Sequence, residues 1–193
     1  TARAFPDRWL IGDRFIRKSS VQVVVVGDSL TTYGADTLTA QDGLTGYLEM
    51  ALRRTNPGRA IVVTSRGIGA QTFNRLDSVP VVSYPIGERY PWYTDPARPW
   101  LDYVADLAPD IVVLSSGMND HAGFDRAAFE RVVAKVLAMP RKPQIVIATN
   151  IAPNLSPDAA YAAYGSFSGQ EGRDYVAGYL RTYAEFFGHS LID

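Results

Sequence analysis

The chain has 193 residues, of which 47% are hydrophobic and 20% are charged, and its formal net charge is −1. This length allows one domain with a sizeable core, and the composition is that of an ordinary globular protein. The near-neutral charge, without a long run of one sign, argues against nucleic acid or an anionic membrane surface as a partner. No apolar stretch is long enough for a membrane span, and residues 1–20 lack the apolar segment of a signal peptide. The absence of cysteine removes disulfides and thiol chemistry but assigns no compartment.

The first predicted element is a buried strand over residues 21–27, an apolar and largely β-branched run that leads into Gly27-Asp28-Ser29-Leu30. Residues 1–20 are mixed polar and aromatic, and we expect them to form a lead-in segment to a domain over residues 21–193. The sequence opens without Met and closes on what looks like a strand in progress. We therefore expect a piece of a longer polypeptide, incomplete at its C-terminal end.

The rest of the chain alternates between helical and extended patterns. The predicted elements are, in chain order, a helix over 44–52 ended by Asn56-Pro57-Gly58, a strand at 60–64, a helix beginning near Pro99, a strand at 110–115, a helix around 129–137 capped by Asp125, a strand at 144–149, a helix around 176–187 ended by Gly188, and a strand at 190–192. Two long stretches, 73–96 and 152–169, are predicted to be irregular. The alternation implies an α/β fold with a doubly wound, mostly parallel sheet of five strands.

In a parallel sheet the carboxyl ends of all strands lie at one edge, so the loops after the first three strands are expected to meet. Ser29 follows the first strand, the small residues of 67–70 follow the second, and Asn119 follows the third. A serine hydroxyl needs a base to become a nucleophile, and the oxyanion formed on an ester carbonyl needs preplaced donors. Backbone N–H groups near Ser29 and in 67–70, with the Asn119 side-chain amide, are such donors. Asn119 has an alternative role as a helix cap.

The sequence resembles the SGNH/GDSL hydrolase family in three motifs. Gly27-Asp28-Ser29-Leu30 is similar to the first signature, Gly117-Met118-Asn119-Asp120 to the G-x-N-D motif, and residues 66–72 lie where the family places its oxyanion glycine. The resemblance implies a flavodoxin-like α/β/α fold of three layers and hydrolysis of esters, often acetyl esters on carbohydrates, without a cofactor. It also implies that Ser29 is the nucleophile and that Asn119 and an amide of the glycine loop complete the oxyanion hole.

The chain departs from the family pattern at two points. The second motif often has a glycine where this chain has Ala70, so the oxyanion amide belongs to either Gly69 or Ala70, and the sequence leaves both open. The family's Asp-x-x-His follows the fifth strand, whereas this sequence ends at Asp193. We therefore expect the catalytic histidine to come from an additional segment or chain.

The sequence contains two histidines, His121 and His189. His121 is close to Asn119 and is predicted to contact substrate, with a solvated loop histidine as the alternative. His189 precedes the fifth strand and is expected at the opposite edge of the sheet, as a surface residue at a helix C-terminus. Asp28 is grouped with the substrate-side residues, although its position favours a structural bond to the turn amides over a role as base.

Aromatic residues are concentrated in the first irregular stretch, where Trp92 and Tyr93 are candidates for a wall that stacks against a sugar. Packing of these rings against the sheet edge is an equally good interpretation at this point. No spacing of His, Asp and Glu suggests a metal site, and no cofactor is expected.

The sequence thus predicts a serine esterase that cleaves carboxylic, preferably acetyl, esters on carbohydrate through an acyl-enzyme on Ser29. Its partner is a small ester or acetylated carbohydrate substrate, and neither nucleic acid nor membrane is expected. One alternative is a non-catalytic carbohydrate-binding or structural module that keeps the fold without its histidine. Another is a phosphate or nucleotide binder, but the glycine-rich fingerprint is absent and Asp28 would repel a phosphate.

Overall fold

The strands and helices of the protein follow the predicted order closely. A computed structural model describes residues 18–32, 43–80, 90–120, 123–149 and 170–193. The strands are β1 (Ser20–Gly27), β2 (Ala60–Ser65), β3 (Ile111–Ser115), β4 (Gln144–Ala148) and β5 (Ser190–Ile192). The helices are α1 (Ser29–Thr32), α2 (Leu44–Thr55), α3 (Phe73–Asp77), α4 (Trp100–Ala105), α5 (Arg126–Leu137) and α6 (Gln170–Phe187).

The described strands form one sheet in the order β2-β1-β3-β4-β5, and every neighbouring pair is parallel. At the centre of the sheet, Val23 lies opposite Val63 on one side and Ile111 on the other. The predicted five-stranded parallel sheet is confirmed. Because all strands run in the same direction, the loops after β1, β2 and β3 leave from the same edge.

The two faces of the sheet bury different sets of side chains. Val24 and Val26 point into a large core that also holds Phe73, Trp100 and Phe129 from helices α3, α4 and α5. On the other face, a smaller cluster of aliphatic strand residues packs against Leu48 and Leu52 of α2. Helices therefore cover both faces, which confirms the three-layer α/β/α architecture.

The central strand is apolar on both faces because both faces are covered. The side chains of Val23, Val24, Val25 and Val26 are each at most 1% exposed. Full burial of one such aliphatic side chain stabilises the fold by roughly 1.5–3 kcal/mol. This burial anchors the strand that ends next to Ser29.

The ends of the longer helices follow local sequence signals. The Asp125 side chain accepts a hydrogen bond from the Ala128 N–H and caps α5, as predicted. Gly188 ends α6 with a φ of 74°, a backbone conformation that glycine adopts without strain. Asn56 forms the C-terminal cap of α2.

Three local predictions differ from the structure. Residues 73–77 lie in the stretch predicted to be irregular, yet they form helix α3. Its N-terminal cap residue, Thr72, makes no side-chain capping bond, so a local signal for this helix is missing. Asp110 and Thr149 were predicted at strand ends but lie just outside β3 and β4, where Asp110 instead accepts a hydrogen bond from the Gln22 N–H.

Two other predictions fall outside the described residues, namely the irregular stretch over 152–169 and most of the lead-in segment over 1–20. The domain boundaries therefore stay a prediction. Within the described part of the chain, no helix has both the length and the hydropathy needed to cross a bilayer.

Candidate active site

Ser29 lies directly after the central strand, as the first residue of the single-turn helix α1. The turn is held by local bonds, since the Asp28 carbonyl oxygen accepts from the Thr31 N–H at 3.1 Å and from the Thr31 hydroxyl at 2.8 Å. The Thr32 hydroxyl donates to the Ser29 carbonyl oxygen at 2.8 Å. Ser29 itself is half-buried. The strand therefore places this serine at the edge of the sheet where the following loops meet.

Two glycines allow the loops at this edge to approach closely. An ideal Cβ on Gly27 would lie 2.4 Å from the Ser115 carbonyl oxygen, and one on Gly67 would lie 2.0 Å from the Thr31 hydroxyl oxygen. Both distances are far below van der Waals contact, so a side chain at either position would push the loops apart. We call the residues that meet here the three-loop junction, namely 28–32 after β1, 66–72 after β2 and 116–120 after β3.

The second loop continues alongside the first strand before it turns. The Ile68 N–H donates to the Gly27 carbonyl oxygen at 3.0 Å, so the two loops stay hydrogen-bonded beyond β2. The Gly69 N–H donates to the Tyr90 hydroxyl oxygen at 2.8 Å. Ala70 is exposed and has a φ of 58°, in the left-handed region that favours glycine. The two candidate oxyanion residues thus differ, because Gly69 already uses its N–H within the protein.

The third loop begins with a glycine in a left-handed conformation, Gly117, which has a φ of 121°. The Asn119 side chain follows, half-buried, and its Nδ2 donates to the Gln71 carbonyl oxygen at 3.1 Å. This bond joins the third loop to the second. Since a side-chain amide carries two N–H groups, one remains for another acceptor. The cap of α5 is Asp125, so the structure gives Asn119 no part in capping that helix.

Asp28 lies inside the junction and is 1% exposed. Its carboxylate accepts a hydrogen bond from the Leu30 N–H at 3.1 Å and another from the Met118 N–H. Burial raises the pKa of Asp28, while these backbone bonds and the charge of Arg173 act in the opposite direction. This placement favours the structural role for Asp28, and its predicted contact with substrate stays a prediction.

Asp120 also lies at the junction, although the sequence motifs predicted no separate role for it. It is 5% exposed, and its two carboxylate oxygens lie 3.0 Å and 3.3 Å from the Phe73 nitrogen, whose N–H is the first of helix α3. Burial raises the pKa of Asp120 to about 7, and the charges of Asp28 and Asp125 add to the effect. The aspartate of the G-x-N-D motif was the available signal, but its partner is 47 residues away in sequence.

The two candidate sugar-stacking rings are part of an aromatic cluster. Tyr93 is fully buried against Tyr103, with ring centroids 5.1 Å apart, and burial raises its pKa to about 12. Trp92 is half-buried, touches both tyrosines, and has the Arg66 guanidinium 4.9 Å from its ring centroid. Packing accounts for both rings, and their contact with a substrate stays a prediction.

The two histidines are far from equivalent. His189 precedes β5 and therefore lies at the edge of the sheet opposite the junction, where it stacks on Tyr183 at 6.0 Å. His121 lies outside the described residues. Among the described side chains, no group of His, Asp and Glu could hold a metal ion. A cavity of about 620 Å³ over the α2 face is lined in part by Val25, Val113 and Asp193, but by none of Ser29, Ala70 and Asn119.

The junction places a hydroxyl, a backbone amide and a side-chain amide on three adjacent loops. This combination suits attack on a carbonyl carbon followed by stabilisation of the oxygen that becomes negative. Hydrogen bonds between the loops and the close contacts at Gly27 and Gly67 hold the backbone that carries these groups.

Comparisons with known proteins identify the family and the fold of the chain. Residues 25–193 match the family model described as the GDSL-like lipase/acylhydrolase family. The resemblance predicted from the sequence motifs is thus confirmed over most of the chain. No curated protein matches the sequence.

Several solved structures share the fold. A two-domain esterase active on acetylated mannans, co-crystallised with mannopentaose, superposes with a TM-score of 0.59 at 13% identity, covering 98% of this chain and 56% of that one. A lipase/acylhydrolase from Enterococcus faecalis gives 0.54 at 16% identity, over 90% of this chain and 75% of that one. A carbohydrate acetylesterase from Sinorhizobium meliloti gives 0.54 at 21% identity, over 89% and 83% of the two chains.

These identities establish a shared fold and nothing more specific. The chain spans about half the length of the two-domain esterase, with 56% and 41% of that protein covered in two structures. The fold is that of SGNH-hydrolase esterases, as predicted.

Proposed function

Because the chain belongs to the GDSL-like lipase/acylhydrolase family, we propose that it is a serine esterase with Ser29 as its nucleophile. The Ser29 oxygen attacks the carbonyl carbon of an ester, and its proton passes to a base. The tetrahedral intermediate then collapses, and the alcohol leaves with a proton returned by the base. Water cleaves the acyl-enzyme by the same route and releases the carboxylic acid together with the regenerated serine.

The observation that carries the proposal is the convergence of the three loops around Ser29. Gly27 lies opposite Ser115 in the sheet, and its carbonyl oxygen accepts the Ile68 N–H. The loops that carry Ala70 and Asn119 therefore flank the loop that carries the serine. An ordinary strand-to-helix turn would not need this arrangement.

For the oxyanion hole, we assign the backbone donor of the second loop to Ala70 and not to Gly69. The Gly69 N–H is engaged by the Tyr90 hydroxyl oxygen at 2.8 Å, and its use in catalysis would cost that bond. The positive φ of Ala70 is the conformation expected at the family's glycine position. The second N–H of the Asn119 amide and the Ser29 N–H complete the set of donors.

The substrate class we propose is an acetyl ester on a carbohydrate. One structurally similar protein is described as active on acetylated mannans and another as a carbohydrate acetylesterase. In this proposal, an additional segment or chain supplies the histidine that accepts the Ser29 proton. Of the two histidines in the sequence, His189 lies at the far edge of the sheet and His121 lies outside the described residues.

The direct test is the hydrolysis of 4-nitrophenyl acetate and of an acetylated mannan by the wild type and by Ser29→Ala, made in whichever form shows turnover, these 193 residues or a longer parent chain. We expect Ser29→Ala to lower kcat by at least about 1,000-fold, because the substitution removes the nucleophilic hydroxyl and leaves the backbone conformation of the site unchanged. Ser78→Ala is a matched control, since Ser78 is exposed and its hydroxyl donates within its own turn to the Asn74 carbonyl oxygen. Unchanged turnover in Ser29→Ala would contradict the mechanism.

The same assay should include any longer parent chain. Turnover confined to the longer form would indicate that the histidine lies outside these 193 residues. Turnover in neither form would overturn the esterase proposal.

A further inference from the structure

The two residues next to Asn119 in sequence each take part in a hydrogen bond that involves a buried carboxylate. On one side, the Met118 N–H donates to Asp28. On the other side, Asp120 accepts from the Phe73 N–H at 3.0 Å. Asp28 belongs to the loop after β1 and bonds to the loop after β3, whereas Asp120 belongs to the loop after β3 and bonds to the first residue of α3. The backbone around Asn119 is therefore tied both to the serine loop and to the start of α3.

The bond of Asp120 and the bond of Asn119 run between the same two loops. The Asn119 Nδ2 donates to the Gln71 carbonyl oxygen at 3.1 Å, and Phe73 follows Gln71 by two residues. Ala70 immediately precedes Gln71 along the chain. The two bonds thus hold residues 71–73 against the third loop, and Ala70 is joined directly to the start of this held segment.

The hydrogen bond between the Phe73 N–H and Asp120 is unusual because the carboxylate is buried. Aspartate is seldom almost fully buried unless it is paired, yet Asp120 is only 5% exposed, and the charge of Asp28, which is 1% exposed, acts on it. Capping a five-residue helix does not call for a carboxylate placed in such surroundings. A function that depends on the exact separation of two loops does account for it.

We propose that Asp120 is a positioning residue, which sets the separation between the two oxyanion donors, the Ala70 N–H and the Asn119 side-chain amide. It acts through the backbone of Phe73 and does not touch the substrate. The inference rests on the proposed esterase function, because only that function needs both donors on one oxygen atom.

The test compares Asp120→Ala with Asp120→Asn, and uses Asp125→Ala as the matched control. Asp125 belongs to the same connection between β3 and α5 and accepts a helix N–H at the same 3.0 Å, but its partner Ala128 is local. A merely structural role would make the two alanine variants behave alike.

We expect Asp120→Ala to lower kcat about 10- to 100-fold with KM changed less than about twofold, because misplaced donors weaken transition-state binding more than ground-state binding. Asp120→Asn should recover most of kcat, since its amide oxygen can still accept the Phe73 N–H. Asp125→Ala should keep kcat within about twofold of the wild type. Equal losses of kcat in the two alanine variants, or no loss in Asp120→Ala, would overturn the inference.

A second measurement separates this inference from the esterase proposal. In ¹⁵N-labelled protein, Asp120→Ala should shift the resonances of the Asn119 side-chain amide and the Ala70 N–H, whereas Asp125→Ala should leave both in place. If neither these 193 residues nor a longer parent chain hydrolyses an ester, the esterase proposal fails and these resonances alone decide the positioning role. If neither resonance moves in Asp120→Ala, the positioning role fails whatever the turnover.

Discussion

The start of helix α5 and the three-loop junction each contain an aspartate that accepts a backbone N–H, but the two bonds differ in burial and in the sequence separation of their partners. At α5, Asp125 accepts the N–H of a residue three positions later and is partly exposed. At the junction, Asp120 accepts the N–H of a residue 47 positions earlier and is buried. The first bond can form in an isolated segment of chain. The second exists only when three strands and their loops have assembled.

This difference changes what each carboxylate contributes. An exposed carboxylate at a helix start is stabilising at neutral pH because it stays solvated and faces the positive end of the helix dipole. A buried one is desolvated, and its charge also opposes that of Asp28, so its pKa rises. The charged carboxylate is therefore electrostatically unfavourable at the junction, whereas it is favourable at the helix start. Such an electrostatic cost is characteristic of functional sites.

The largest expected effect is on stability, when alanine replaces a glycine of the junction or a glycine of a helix. In Gly27→Ala, the new Cβ would lie 2.4 Å from the Ser115 carbonyl oxygen, so adjacent strands must separate. We expect a loss of about 3 kcal/mol in the free energy of unfolding. Gly178→Ala in α6 is the control, because its Cβ meets nothing within 4 Å, and we expect a gain of about 0.5–1 kcal/mol there. Urea unfolding measures both, and a neutral Gly27→Ala would show that the contact is not tight.

The second expected difference is in the pH dependence of stability. The folded pKa of Asp120 is raised from 3.8 to about 7, so the folded state binds the proton more tightly than the unfolded state. Its contribution is fully present below the unfolded pKa and is lost as the pH rises through the folded pKa. The charged groups that act on it are Asp28 and Asp125, and Arg173 faces Asp28.

We therefore expect the free energy of unfolding of the wild type to fall relative to that of Asp120→Asn between about pH 4 and pH 7. The slope should be roughly 1 kcal/mol per pH unit over most of this range. Urea unfolding of both proteins across this range measures the difference. Asp125→Ala should lose about 1 kcal/mol because it loses a solvated cap, and it should keep a pH dependence of the same sign over a slightly narrower range, since the Asp125 charge adds to the raised pKa of Asp120. A pH-independent difference between the wild type and Asp120→Asn would show that Asp120 titrates normally.

The smallest expected effect is at Ala70, where the junction places an L-residue at a φ of 58°. Ala70→Gly relieves this strain but adds freedom to the unfolded chain, so we expect a change within about 1 kcal/mol and retained turnover. Ala51→Gly, at an exposed position inside α2, should instead lose about 1 kcal/mol. Thermal unfolding and the ester assay check both variants. Equal losses at the two positions would argue against strain at Ala70.

Features governed by neighbours in the sequence were predictable. The apolar run before Ser29, the cap at Asp125 and the stop at Gly188 each follow from a local rule of burial, capping or backbone freedom, and the structure confirms them. Helix α3 was missed because its capping oxygen comes from Asp120, on another loop. No pattern within residues 73–77 carries that information.

The sequence by itself determined a parallel sheet that presents Ser29, a small-residue loop and Asn119 at one edge, because strand periodicity and chain direction fix where loops emerge. Only the tertiary structure decided how the loops are joined there. The bond of Gly69 to Tyr90 spans 21 residues and that of Asp120 to Phe73 spans 47, and neither has a local signature. Such bonds form because a buried donor or acceptor must find a partner in the assembled fold, wherever along the chain that partner lies.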